Sequence, residues 1–477
     1  MPSTIDYSSM LPLSIPAMAS RRKYFPSNGS TFSRQGNRQI RIEIGHPSAL
    51  LDPSHSYLEV RLSNSGAQTF GIDLGGANCL FENVRVEQGG KLLSYTQASD
   101  RLHSSILAPV QTSSEGLASE SCTETGRAYN GVAAVPGGDG EQYDVSVHNS
   151  NGFFAAGATH RLTMPITSGL FSQDKLIPLP LVNQNAPITL VLDLGTPADA
   201  GCWNGAPGAA DLVVAEVSYI AHMIEVGPDV IEQFRMVQRD MGGQLAISGQ
   251  DYEYFTQAVP AATAGQAALS CPARKRSIKS LFWCAQSNSV ANAAIADLSA
   301  GYNLSYAGNM NVESWQYQVG PILYPAGTPV RCWGNTVGAG AVGAEFNRAE
   351  CALELAKAIG TMSKTNPIGT LNTITYGTSN APARNLSDGD NGVGGVDMIP
   401  ITNTKYCVCP FGLSVDSFSR DVVESGVDTQ TLAQETRLLL NWGAGANSGA
   451  EDKIVHMWAL FDQHYYFNEN GSVSYSN

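Results

Sequence analysis

The residues of this 477-residue chain that could do chemistry are few and scattered. Cys407 and Cys409, in "CVC", alternate along a strand and put both thiols on one face. Zinc there would need two further ligands that the neighbouring sequence does not supply, so two buried thiols is the preferred reading. Asp388 and Asp390, in "SDGDNG", have the spacing of calcium ligands. Gly392 and Val393 then fall where an EF-hand loop needs a ligand and a glycine, so a turn is expected instead. The eight histidines do not cluster. His222 and His456 sit on long strand-like stretches and are expected as satisfied core or interface histidines. There is no GxxxxGK[ST], HExxH or GxSxG. "GIDLGGANC" is glycine-rich, but no helix-forming stretch follows it, so it is not a dinucleotide fingerprint. Sequons at Asn28, Asn303, Asn385 and Asn470 are short enough to arise by chance. No catalytic, cofactor or metal residue is nominated, and no enzyme activity is expected.

One cluster carries a different chemistry. Arg21, Arg22 and Lys23 are consecutive cations in an otherwise charge-poor stretch. The bland reading is a solvated turn. The sharper one is contact with an anionic surface. The chain as a whole has a formal net charge of −14, which argues against a general nucleic-acid coat. Charged residues are only 15%, a composition suited to a protein surrounded by copies of itself. The nine cysteines show no CxxC pair and no framework spacing, so reduced thiols are expected. "MPSTIDYSSMLPLSIPAMAS" lacks a basic start and is broken by prolines, unlike a signal peptide. No run of eighteen apolar residues exists to span a membrane as a helix.

The elements that must position these groups are mostly strands. "RQIRIEI" (38–44) and "SYLEVRL" (56–62) alternate apolar and polar residues. "LFENVRVEQGGKLLSY" is a hairpin around Gly89 and Gly90, and "TQASDRLHSSIL" a short helix with Leu102 and Ile106 four apart. Nearly fifty residues rich in Gly, Ser, Ala and Thr follow. Strand-like stretches resume with "HRLTMPI", "KLIPLPLV" and "PITLVLDL". In "DLVVAEVSYIAHMIEV" (211–226), Val214, Glu216, Ser218, Ile220, His222 and Ile224 share one face of a long strand. "GPDVIEQFRMVQ" then predicts a helix from Pro228 with Ile231, Phe234 and Val237 or Met236 on its apolar side.

The plan then repeats. "RSIKSLFWCAQ" and "ESWQYQVGPILYP" are strand-like, and "GAEFNRAECALELAKAIGTM" (343–362) predicts a helix with Phe346, Cys351, Leu353, Leu355 and Ile359 as its apolar side. A second glycine-rich stretch follows to about Asn403, and then "KYCVCPF", "ETRLLLNW" and "DKIVHMWALFDQHYYF". Strands, helix, long loop, strands and a long last strand thus occur twice, with a period of roughly 220 residues, too long for a solenoid. The expected fold is all-β: two tandem eight-stranded jelly rolls, with short helices and long loops between strands. The expected divisions are an N-terminal arm (1–35), a first roll (36–226), a linker with a helix (227–272) and a second roll (273–477).

"SRQGNRQIRIEI…SALLDPSHSYLEVRL" resembles the opening of the double jelly-roll major capsid proteins of polinton-like viruses, virophages and their large-DNA-virus relatives. "CLFENVRVEQGGKLLSY" resembles their next hairpin. "MPITSGLFSQDKLIPLPLV…ITLVLDL" resembles the end of their first roll, and "ESWQYQVGPILYPAGTPV" with the following helix resembles the early part of their second. The resemblance implies a homotrimeric, pseudo-hexagonal capsomer that tiles an icosahedral shell in the virion, assembled inside the host cell, with the glycine-rich stretches as outward tower or inter-subunit loops and Arg21, Arg22 and Lys23 as an inner-face contact. Implied partners are neighbouring capsomers, penton and minor capsid proteins, and an internal membrane reached by the N-terminal arm through Arg21, Arg22 and Lys23; no specific nucleic acid is implied. Two other readings stay open at this stage: a minor capsid or spike protein, and a carbohydrate-binding β-sandwich, which would need paired carboxylates and aromatics on one concave face.

Overall fold

A computed structural model gives the fold. It describes residues 17–33, 36–65, 69–71, 76–107, 153–154, 157, 159–173, 175–195, 202–204, 212–287, 310, 312–334, 345–346, 348–360, 410–416, 426–430, 435–443, 448 and 452–476. Cys407, Cys409, Asp388, Asp390, Asn303, Asn385 and nearly all of both glycine-rich loops lie outside the described residues.

Sixteen strands carry the architecture. In the first half they are β1 (Ala17–Tyr24), β2 (Gln39–Ile44), β3 (Ala49–Asn64), β4 (Phe81–Gln88), β5 (Lys91–Thr96), β6 (Thr159–Met164), β7 (Ile188–Leu194) and β8 (Leu212–Val226). In the second they are β9 (Gln244–Val259), β10 (Gln266–Ser270), β11 (Ile278–Ser287), β12 (Ser314–Val319), β13 (Ile322–Tyr324), β14 (Phe411–Ser414), β15 (Thr436–Asn441) and β16 (Lys453–Asn468). The first half pairs as β1-β8-β3-β6 and β2-β7-β4-β5; the second as β9-β16-β11-β14 and β10-β15-β12-β13. All of these neighbours are antiparallel. Counted from its own first strand, each half reads 1-8-3-6 and 2-7-4-5. That shared order is the jelly roll, made twice. Short strands at Thr31–Ser33 and Val473–Ser476 add to β8 and β16.

Period-2 alternation explains most of this. Ile40, Ile42 and Ile44 on β2 and Leu58, Val60 and Leu62 on β3 are all buried in the first core. Trp283, Trp315 and Trp458 anchor the second, with Trp283 stacked on Phe411 at 4.2 Å between ring centroids. The β4–β5 hairpin turns through Gly89 and Gly90, whose φ values of 57° and 81° suit a type I′ turn that most residues cannot enter.

Several expectations need correction. Within the expected arm, Ala17–Tyr24 and Thr31–Ser33 are strands: β1 pairs with β8 along its length, and Phe32 is buried in the first core. The expected linker does hold a helix, α1 (Pro228–Asp240), but β9 and β10 follow within it and belong to the second roll's sheets. Of the apolar side predicted for α1, Ile231 and Phe234 are half-buried but Met236 and Val237 are exposed, and its buried residue is Gln238, bonded to the Phe467 carbonyl. "KLIPLPLV" is not a strand, because Pro178 and Pro180 lack the N–H a ladder needs; a bridge from Ile177 to Leu51 and a 3-10 turn at Leu179–Leu181 replace it. The helix predicted from 343 is α2 (Arg348–Ile359), with Glu345–Phe346 a short strand before it and Leu353 facing outward. The expected face of β8 switches at a bulge where Glu216 takes φ 48°, after which Val217, Tyr219, Ala221 and Met223 point into the core.

Candidate assembly interface

The rolls do not simply sit side by side. Ile247, Tyr465, Phe467 and Val473 of the second roll are part of the first core. In exchange Ala98, Leu102, Ile106 and Leu107, from the helical segment after β5, are part of the second. The segment is helical over Ser99–Arg101 and of the wider π type over Leu102–Leu107, which turns its apolar side toward the other roll. Gly249 and Gly169 face each other across this seam: a Cβ on Gly249 would collide with the Gly169 carbonyl oxygen.

Polar groups set the register. Asp251 on β9 is buried and accepts hydrogen bonds from Ser94 at 2.5 Å and Thr96 at 2.9 Å on β5. Gln463 donates to the Leu93 carbonyl at 3.0 Å, and Gln88 donates to the Gly471 carbonyl at 2.7 Å. Arg101 donates to Gln286, which also meets His456, and His456 in turn meets the Tyr254 hydroxyl at 2.6 Å. Beside Asp251 opens a cleft of about 210 Å³ between the rolls, lined among others by Leu92, Tyr95, Glu253, Lys275 and Tyr475. Lys275 lies 3.6 Å from Glu253 and 4.0 Å from the centroid of the Phe461 ring.

Burial raises the Asp251 carboxyl above the usual range, opposed by its hydrogen bonds to Ser94, the Tyr252 N–H and Thr96 and by Lys275. The folded protein therefore holds this proton to higher pH than the unfolded chain. The contribution to stability is greatest when the group is protonated and falls as pH rises from the ordinary carboxylate pKa to the raised one. Asp251→Asn is accordingly expected to gain on wild type as pH rises through that window. Thermal midpoints of both proteins from pH 4 to pH 8 check this; a difference that does not change with pH contradicts it.

The basic cluster is solvent-exposed on β1, at the edge of the first roll's β1-β8-β3-β6 sheet. Arg21 donates to the Tyr57 hydroxyl at 2.9 Å, and Lys23 pairs with Glu59 at 3.1 Å. Arg22 lies over the Tyr24 ring, 5.9 Å from its centroid. Arg61 and Arg161 extend this face, both paired to Glu216, whose carboxyl they hold below its usual range, the Arg61 hydrogen bond first. His222 is half-buried with its ring 5.7 Å from that of His55. The amide of Asn28 is engaged by the backbone of 39–41, and that of Asn470 by Ser472. Sequence reasoning missed Asp251 and Gly249, because an acid and a glycine at inward strand positions look like linker. The alternation of Leu245 with Ile247, and of Tyr252 with Tyr254, was the available signal. Among the described residues no group of three or more metal-ligating side chains gathers, five cysteines are buried free thiols, and no helix is long and apolar enough to cross a membrane.

The fold these two units define is a double jelly roll. No family model and no curated protein matches the sequence. Among solved structures the chain is similar to VP54 of PBCV-1, fitted into a reconstruction of the virophage Sputnik, at 12% identity and TM-score 0.54 over 99% of both chains. It is similar to the quasi-atomic model of the PBCV-1 virus capsid at 11% identity and TM-score 0.54, again over 99% of both. A chain of the Sputnik virophage structure matches at 10% identity and TM-score 0.54, covering 98% of this chain and 90% of that one. The expected fold is therefore the observed one, and it is shared along nearly the whole chain.

Proposed function

We propose that this chain is the major capsid protein of an icosahedral virus, a structural subunit without enzymatic activity that acts as a homotrimer in the virion. The observation that carries this reading is the doubled roll itself: one strand order made twice, in a chain whose fold matches a virus capsid subunit end to end. Three such chains supply six similar corners with closed symmetry, the outline of a pseudo-hexagonal capsomer. The partners are other copies, neighbouring capsomers, and penton and minor capsid proteins. Arg21, Arg22 and Lys23, with the chain before β1, are the groups that would meet an internal membrane or an adjacent capsomer. Light scattering of the purified protein at low micromolar concentration, with negative-stain images, tests this. Trimers of hexagonal outline are expected; a stable monomer that never associates overturns it.

A further inference from the structure

One cluster in the second roll brings an amine and two carboxylates together out of reach of water. Lys279 lies on β11 where that strand breaks register against β16, between the pairs Ile278–Phe461 and Ser280–Leu460. The bulge turns an extra side chain inward, and that side chain is a lysine with no exposed surface. β11 runs between β16 and β14, and each neighbour brings one acid to the lysine. Asp416, just past the end of β14, has Oδ2 3.1 Å from Nζ; Asp462, on β16, has Oδ2 3.4 Å from it. The two acids are 1% and 4% exposed. Their chain neighbours Val415 and Phe461, and Ile278 beside the lysine, are buried apolar residues.

The surrounding bonds fix all three groups. The Val415 N–H donates to the Lys279 carbonyl at 2.9 Å, which pins the segment carrying Asp416 against β11. Ser277 Oγ donates to Asp462 Oδ2 at 2.6 Å, and Gln250 Nε2 donates to its Oδ1 at 3.2 Å. One carboxylate is enough to balance the ammonium. The second gives the site a proton acceptor as well.

In water an ammonium and a carboxylate do not condense. The amine is protonated, the carboxylate repels a nucleophile, and solvent reverses the reaction. Burial opposes each of these. Charges out of water lower their cost by neutralising one another. Fixed neighbours make the attack intramolecular. A closed site keeps bulk water from the product.

We propose that Lys279 and Asp416 join in an amide bond, with Asp462 carrying the proton. One proton passes from the ammonium to Asp416, leaving a neutral amine beside a neutral carboxylic acid. Nζ then attacks Cγ of Asp416, and the Nζ–Cγ bond forms. Asp462 takes a proton from the nitrogen and gives it to the departing hydroxyl, so one Cγ–O bond breaks and water leaves. Asp462 ends as it began, the net charge is unchanged, and nothing is oxidised or reduced. The bond ties β11 to the chain that re-enters the roll after the second glycine-rich stretch, 137 positions later. A cross-link that closes so long a loop restricts the unfolded chain. The proposal goes beyond the capsid reading and does not depend on it. The ionic cluster is the state before closure, and the stability effect of removing Lys279 is measured against chains still in that state.

The test is the intact mass of the purified full-length protein, followed by tryptic mapping. Wild type is expected to be one water lighter than its sequence and to resist cleavage after Lys279. Its digest is expected to hold a branched peptide joining the Lys279 and Asp416 segments. Asp462→Ala leaves Lys279 and Asp416 balanced in charge, and is expected to show the full mass and no branch. Asp416→Asn is expected to close with loss of ammonia in place of water and to give the same branched peptide. Wild type at full mass, cut after Lys279, would overturn the proposal, and that readout needs no variant. A branch to Asp462, or one undiminished in Asp462→Ala, would overturn the roles assigned to the two acids.

Discussion

Lys279→Met is expected to destabilise the second roll by about 3–5 kcal/mol. The Lys279 side chain is 0% exposed and lies 3.1 Å from Asp416 and 3.4 Å from Asp462, themselves 1% and 4% exposed. A buried ion pair adds little net stability over an apolar replacement of the whole group, but removing one partner leaves charge stranded in low dielectric. Here it strands two carboxylates at once. Ser277 continues to donate to Asp462 at 2.6 Å, which does not neutralise it. Methionine fills most of the volume, so the loss isolates charge rather than packing. The triple variant that adds Asp416→Leu and Asp462→Asn is expected to recover most of the loss. Urea titration followed by tryptophan fluorescence reads this roll, because Trp283, Trp315, Trp442 and Trp458 are buried in it. A loss below about 1 kcal/mol for the single variant would contradict this account of the cluster.

Acid is expected to weaken the seam through histidine. Burial lowers His103 from the ordinary 6.5 to about 4, and its Nε2 lies 2.6 Å from the Thr167 hydroxyl. Burial also drives His456 well below its usual value, with Arg101 adding to the effect. Both are bases with folded pKa values below the unfolded ones, so the unfolded chain binds more protons. Stability is therefore whole above about pH 6.5 and is lost as pH falls toward 4, by roughly 3 kcal/mol for His103. The raised carboxyls of Asp251 and Glu253 work in the opposite sense, so the comparison must be with a variant. His103→Gln keeps a hydrogen-bonding group near Thr167 and cannot take up the proton. Its thermal midpoint is expected to fall less steeply than that of wild type between pH 6.5 and pH 4. Parallel curves would show that His103 does not titrate in the folded chain as this geometry requires.

Local period and turn chemistry were enough to read the strands with clean alternation, such as 38–44 and 56–62, and the Gly89–Gly90 hairpin. Their order was enough to show a plan made twice. These signals survive in sequence because each depends on residues within a few positions of one another. Tertiary structure decided the rest. β9 exists with Gly249 and Asp251 at inward positions because β5, some 150 residues earlier, brings Ser94 and Thr96 to bond the acid, and the separate Gly169 turn brings its backbone against the glycine. β1 is a strand, though exposed and basic, because β8 presents a ladder edge to it 200 residues later. Glu216 leaves the alternation of β8 because Arg61 and Arg161 from two other strands draw it outward at a bulge. In each case the deciding partner lies on a distant element, and no periodicity along the chain encodes which distant element will be adjacent.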